Sequence, residues 1–80
     1  MTNEALLYRK NGCGLCDEVR ELLEILQEEF QIHVREVNIE GNRLLEEKYL
    51  YEIPVLHLNG EELDYRSIDL FTIRERLHEY

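Results

Sequence analysis

The order of hydrophobic patterns predicts a small α/β fold of type βαβαββα, a mixed four-stranded sheet flanked by helices. Three observations carry this. Strand-like runs at 5–9 and 32–39 bracket a stretch of helical period, and a strand–helix–strand unit of that kind sets its strands parallel. Asn59-Gly60 lies between two further β-like runs and is a strong two-residue hairpin signal, which adds an antiparallel pair. A last apolar stripe between Ile68 and Leu77 closes the chain with a helix.

Ala5 to Arg9 reads as the first strand, and its apolar run predicts burial on both faces. Asn11-Gly12 turns the chain toward two cysteines. From Leu15 to about Glu29 the apolar positions Cys16, Val19, Leu23, Leu26 and Phe30 step by three and four, with Leu22 and Ile25 widening the stripe. That spacing makes an amphipathic helix docked on a sheet. Ile32 to Ile39 is rich in β-branched residues and reads as the second strand. Gly41-Asn42 breaks the pattern before a shorter helix from Arg43 to about Leu50. Pro54 to Leu58 is the third strand, with proline at its start, where the missing N–H does least harm. Glu61 to Tyr65 returns as an antiparallel edge strand. Ser67 is the expected N-cap of the last helix, with Asp69 in its first turn. Its buried stripe is Ile68, Phe71 and Leu77, with Leu70 and Ile73 beside them.

Eighty residues make a single domain spanning 1–80, too short for a second core. No apolar stretch approaches the ~20 residues of a membrane span, and Met1-Thr2-Asn3-Glu4 lacks the basic start of a signal peptide. A cytoplasmic monomer without membrane association is expected. The net charge of −9 argues against nucleic acid, whose phosphates demand clustered Lys and Arg. The acids are spread along helical segments, which reads as solvated faces that favour solubility. Two cysteines are too few for a secreted disulfide scaffold; in a reducing compartment such a pair is catalytic or metal-binding.

Cys13-Gly14-Leu15-Cys16 is the decisive motif because it opens the first helix. Thiols spaced by two residues there lie one turn apart on one face, within the roughly 4.4–6.8 Å Cα window a disulfide requires. The first sulfur faces the unpaired N–H groups of the helix start, which stabilise a thiolate. Cys13 is therefore the expected nucleophile and Cys16, one turn inside, the resolving thiol. Lys10 and Arg9 favour the thiolate further, while Asp17 and Glu18 oppose it; the sequence leaves that balance open. The competing reading is a binding module whose cysteines are structural or hold zinc. Closed zinc sites need four N or S ligands, and His33, His57 and His78 are poorly placed to complete one, so no metal is expected.

With Lys10-Asn11-Gly12-Cys13-Gly14-Leu15-Cys16 after the first strand, Ile53-Pro54-Val55 before the third, the hairpin and the closing helix, the chain resembles the glutaredoxin-like branch of the thioredoxin superfamily. The resemblance covers nearly the whole chain. It implies a thiol–disulfide oxidoreductase acting on protein or small-molecule disulfides, with glutathione as an optional co-substrate, no bound cofactor, and a reductase as an alternative electron source. It also implies a cis Ile53-Pro54 bond beside the dithiol, whose exposed Ile53 backbone pairs with an extended substrate. Lys10 corresponds to the family's partner for the glycine carboxylate of glutathione. Two features depart from the pattern: Gly14-Leu15 replaces Pro-Tyr, and Asp64-Tyr65-Arg66-Ser67 stands where Gly-Gly-x-Asp holds the glutamyl end. Ser67 and the amides of the last helix remain as carboxylate donors, opposed by Asp64. Of Tyr8, Tyr49, Tyr51, Tyr65 and Tyr80, most are expected to pack at the core's edge, with Tyr51 as the one substrate contact.

Overall fold

The structure, a computed structural model, describes residues 2–79, so Tyr80 lies outside it. The elements run β1 (Asn3–Arg9), α1 (Gly14–Leu26), β2 (Ile32–Asn38), α2 (Arg43–Tyr49), β3 (Val55–Leu58), β4 (Glu61–Leu63) and α3 (Leu70–Arg76). The strands form one mixed sheet in the order β2-β1-β3-β4. β1 and β2 are parallel, with Ala5 opposite Val34. β1–β3 and β3–β4 are antiparallel, with Leu7 opposite Leu56 and Leu56 opposite Leu63. Asn59 and Gly60 both take positive φ, 51° and 86°, the backbone that a tight two-residue hairpin demands.

The main core lies on one face of the sheet. Val19, Leu23 and Leu26 of α1 meet Ile73 of α3 and Leu77 beyond it, over Ala5, Leu7, Leu56 and Leu58. The other face carries a smaller cluster in which Tyr49 of α2 packs with Ile39, Val55, Tyr8, Leu45 and Ile53. α2 has seven residues, roughly 10 Å of helix, and it covers only the Tyr8 end of that face. Leu6 and Tyr8 therefore stay half-buried while Asn3, Ala5 and Leu7 are enclosed. Burial of β1 is thus complete on one face only, not on both.

Other boundaries shift for local reasons. α1 stops at Leu26, and Glu28 and Glu29 donate to carbonyls three residues back in a tightened end. Phe30 is still buried, whereas Ile25 is half exposed. β4 ends at Leu63 because the Asp64 carboxylate accepts the Arg66 and Ser67 N–H groups, at 2.9 and 3.2 Å, and turns the chain. The N-cap of α3 is consequently Asp69, which accepts from Thr72 N–H at 2.8 Å, and not Ser67. In α3 Phe71 precedes Ile73 by two residues, about 200° round the helix, so the two cannot share its buried face. Ile73 and Leu77 point inward and Ile68 packs against them, while Phe71 is 70% exposed and Leu70 also faces out.

Asn3 is fully enclosed, and its side chain is saturated. Its Nδ2 donates to the carbonyls of Gln31 (3.0 Å) and His78 (2.9 Å), and its Oδ1 accepts from His78 N–H (2.7 Å) and Asn59 Nδ2 (2.9 Å). One amide thereby ties β1 to the chain after α3 and to the β3–β4 turn.

Candidate active site

The segment before the cysteines is held from β2's end. Asn11 N–H donates to Glu40 Oε1 at 2.8 Å, Asn38 Nδ2 donates to Asn11 Oδ1 at 3.2 Å, and Gly12 takes φ 69°, which glycine adopts without strain. Cys13 follows as the N-cap of α1. Its carbonyl accepts Asp17 N–H at 3.1 Å, and its sulfur accepts Cys16 N–H at 3.1 Å. A sulfur thus takes the place of the usual capping oxygen. The two cysteines are joined in a disulfide with Cα atoms 5.2 Å apart. Cys13 is partly exposed and Cys16 is 0% exposed. The Ile53-Pro54 bond is cis, and Pro54 is buried.

The charges around the helix start are organised in a way no local pattern announces. Arg9, at the end of β1, bonds Asp17 at 3.2 Å and Glu36 at 3.0 Å, and Arg20 reaches the same two carboxylates at 2.9 and 3.6 Å. Asp17 is thus compensated by two guanidiniums, and Arg9 is committed to it. The opposition of Arg9 and Asp17 at the dithiol largely cancels. Lys10 has no ion-pair partner among the described residues and stands next to this cluster in the chain.

The remaining predicted positions scatter. Ile53 is half-buried and its N–H already donates to Tyr49 carbonyl at 3.1 Å, so an added strand would have to pair through the Ile53 carbonyl. Tyr51 is 92% exposed and lies outside the groove beside Pro54. Tyr65 lines that groove instead. Ser67 is exposed, and its N–H is taken by Asp64. The amides expected for a ligand carboxylate are therefore occupied by the chain's own Asp64 and Asp69. The Thr72 N–H holds the Asp69 carboxyl below its ordinary range, so it is anionic at neutral pH.

The groove, about 420 Å³, runs along α1 from Leu15 to Ile25 and is closed by Pro54, Tyr65 and the start of α3. On the sheet's other face, Tyr49 Oη donates to Glu62 at 3.0 Å while His57 Nε2 approaches the same carboxylate at 2.9 Å, and Tyr8 stacks on Tyr49 at 4.8 Å. Burial, with the Glu62 hydrogen bond second, pushes the Tyr49 hydroxyl up; hydrogen bonds from His57 and then Tyr49 pull Glu62 down. His33 pairs with Glu4 at 3.0 Å. No cluster of three or more His, Cys, Asp or Glu suited to a metal occurs among the described residues. No described helix is long and apolar enough to cross a membrane.

A four-stranded mixed sheet with a C-x-x-C pair heading the first helix, beside a cis-proline that leads into the third strand, defines a thioredoxin-like domain. The chain belongs to the glutaredoxin-like family: residues 4–78 match the family model described as Glutaredoxin-like domain (DUF836). Solved structures agree. A protein from Nitrosomonas europaea, determined by NMR in solution, is 30% identical with a TM-score of 0.79, covering 95% of this chain and 92% of its own. An X-ray structure from X. campestris is 30% identical with a TM-score of 0.72, covering 89% and 91%. A malarial protein at 20% identity and TM-score 0.62, covering 98% and 100%, shares the fold.

Proposed function

We propose that this domain is a thiol–disulfide oxidoreductase of a reducing compartment, the cytoplasm. One observation carries the proposal: a partly exposed Cys13 caps α1 while Cys16 is fully buried one turn on, 5.2 Å away between Cα atoms. In the reduced protein the Cys13 thiolate, stabilised by the helix start, attacks one sulfur of a substrate disulfide. A mixed disulfide forms and one substrate thiolate leaves. Cys16 then loses its proton and attacks the Cys13 sulfur, releasing the second substrate thiolate. The substrate gains two electrons, and the protein ends as the Cys13–Cys16 disulfide. Lys10, which has no ion-pair partner among the described residues, is the cation for an anionic substrate at this end, and the half-buried Ile53 with Pro54 forms the adjoining wall.

Glutathione is a poor fit as donor. It needs both carboxylates held, and Asp64 and Asp69 already occupy the amides at the second position. A reductase or another thiol suits the site better. The test is a titration of the purified protein in graded dithiothreitol or glutathione buffers. A reversible two-electron transition of Cys13 and Cys16 is expected. Stoichiometric zinc with no such transition would assign the cysteines to a metal-holding binding module instead.

A further inference from the structure

The groove along α1 starts at the dithiol. Leu15 lies between the two cysteines in the chain, and Pro54 closes the groove where the cis bond leads into β3. Its floor is apolar and open: Leu15 and Ile25 are 54% and 49% exposed, and Leu70 is also accessible. From Leu15 to Ile25 the helix rises roughly 15 Å, the span of about four to five residues of extended chain. Its charge has one sign. Glu18, Glu21 and Asp69 line it, and no Lys, Arg or His does. Among the described residues Glu18 and Glu21 have no ion-pair partner, and the cations near the helix start, Arg9 and Arg20, are bound to Asp17 and Glu36. Arg66 does not line the groove; it lies over the Tyr65 ring, its backbone N–H held by the Asp64 carboxylate.

We propose that this groove docks an extended segment of a protein substrate, apolar and basic in the residues flanking its disulfide. This deepens the oxidoreductase reading and rests on it. Apolar residues of the segment cover Leu15, Ile25 and Leu70, while its Lys or Arg side chains answer Glu18 and Glu21. A second copy of this chain fits poorly, because a symmetric contact would set those acids against each other on a protein of net charge −9. The same field that repels glutathione selects for cationic segments.

The test uses pre-reduced protein in single turnover against two synthetic peptides with one intramolecular disulfide each. They are identical except that Leu and Lys flank the cysteines in one, and Leu and Glu in the other. Wild type should reduce the Lys peptide at least tenfold faster at low salt, within the range electrostatic steering provides, and the ratio should shrink as salt rises. In Glu18→Lys/Glu21→Lys the ratio should fall below one. That ratio is internal to each variant, so a general loss of activity does not mimic it. Equal rates for the two peptides, with 2-hydroxyethyl disulfide reduced normally by wild type, would overturn the docking proposal and leave the oxidoreductase reading standing. Failure of wild type to reduce any of the three disulfides would overturn both. A dimer in sedimentation that Ile25→Ser dissolves would assign the groove to a second copy and overturn the proposal.

Discussion

Reduced protein exposed to iodoacetamide at neutral pH should lose Cys13 long before Cys16. Cys16 has no accessible surface, so it reacts only when the first turn of α1 opens. Opening breaks the Cys13 carbonyl bond to Asp17 N–H and the Cys16 N–H bond to Cys13 sulfur, about 1 kcal/mol each. It also releases Asp17 from Arg9, a link that solvent screening at the half-exposed Asp17 holds to about 0.5 kcal/mol. The sum of roughly 2.5 kcal/mol slows Cys16 about seventyfold. The helix start favours the Cys13 thiolate by about 0.7 kcal/mol, a further factor of roughly three. The expected ratio is therefore about two-hundredfold. Quenched time points, digestion and mass spectrometry measure it directly, with Cys16→Ser expected to trap a mixed disulfide on Cys13. Alkylation of the two sulfurs within tenfold of each other, or an adduct on Cys16 first, would refute this account of burial and capping.

Asn3→Ala removes four hydrogen bonds and takes these partners from the His78 N–H and carbonyl and from Asn59 Nδ2, while the Gln31 carbonyl keeps the Asn3 backbone N–H. It should cost about 3 kcal/mol and lower Tm by roughly 12–24 °C, and a thermal melt showing under a third of that would mean the segment relaxes to new partners. Stability should also depend on the Tyr49–Glu62 pair at both ends of the pH range. Glu62 lies below its ordinary value in the fold, so its contribution is present above about pH 4.5 and fades as pH falls through the lowered value. Tyr49 lies above its ordinary value, so its contribution is present below about pH 10 and fades as pH rises through the raised one. Urea midpoints from acid to alkaline pH should show both limbs, and Tyr49→Phe should flatten the alkaline one. With glutathione and its reductase, turnover should be slow for wild type and for Lys10→Ala; brisk turnover that collapses in the variant would restore glutathione as the donor.

The elements set by period and turn chemistry were legible in the chain: the α1 stripe, the parallel β1–β2 pair and the Asn59-Gly60 hairpin. The dithiol was legible too, because C-x-x-C spacing and a helix start are local facts. Boundaries failed where two local signals of equal strength competed. Ser67 and Asp69 cap helices about equally well, and the Asp64 turn, which consumes the Ser67 N–H, decided between them. The Arg9–Asp17–Arg20–Glu36 network was invisible because its members come from three elements brought together by sheet order. Tyr65, not Tyr51, reaches the groove for the same reason: proximity to Pro54 in sequence is not proximity across the fold.

The Asn3 amide grips His78 by both its N–H and its carbonyl, and this brings residues near the two ends of the described chain side by side. β1 then runs seven residues away from that point, roughly 20 Å, before the turn into the dithiol. The sulfurs and the Asn3–His78 contact occupy opposite poles of the sheet. A domain fused beyond Asn3 or His78 would hang clear of the cysteine pair. The same adjacency suits circular permutation, with the ends joined by a short linker and the chain reopened at the exposed Gly41-Asn42 turn. Rearranged in that way, the dithiol, the cis-proline and the groove would keep their places while the order of the chain changed around them.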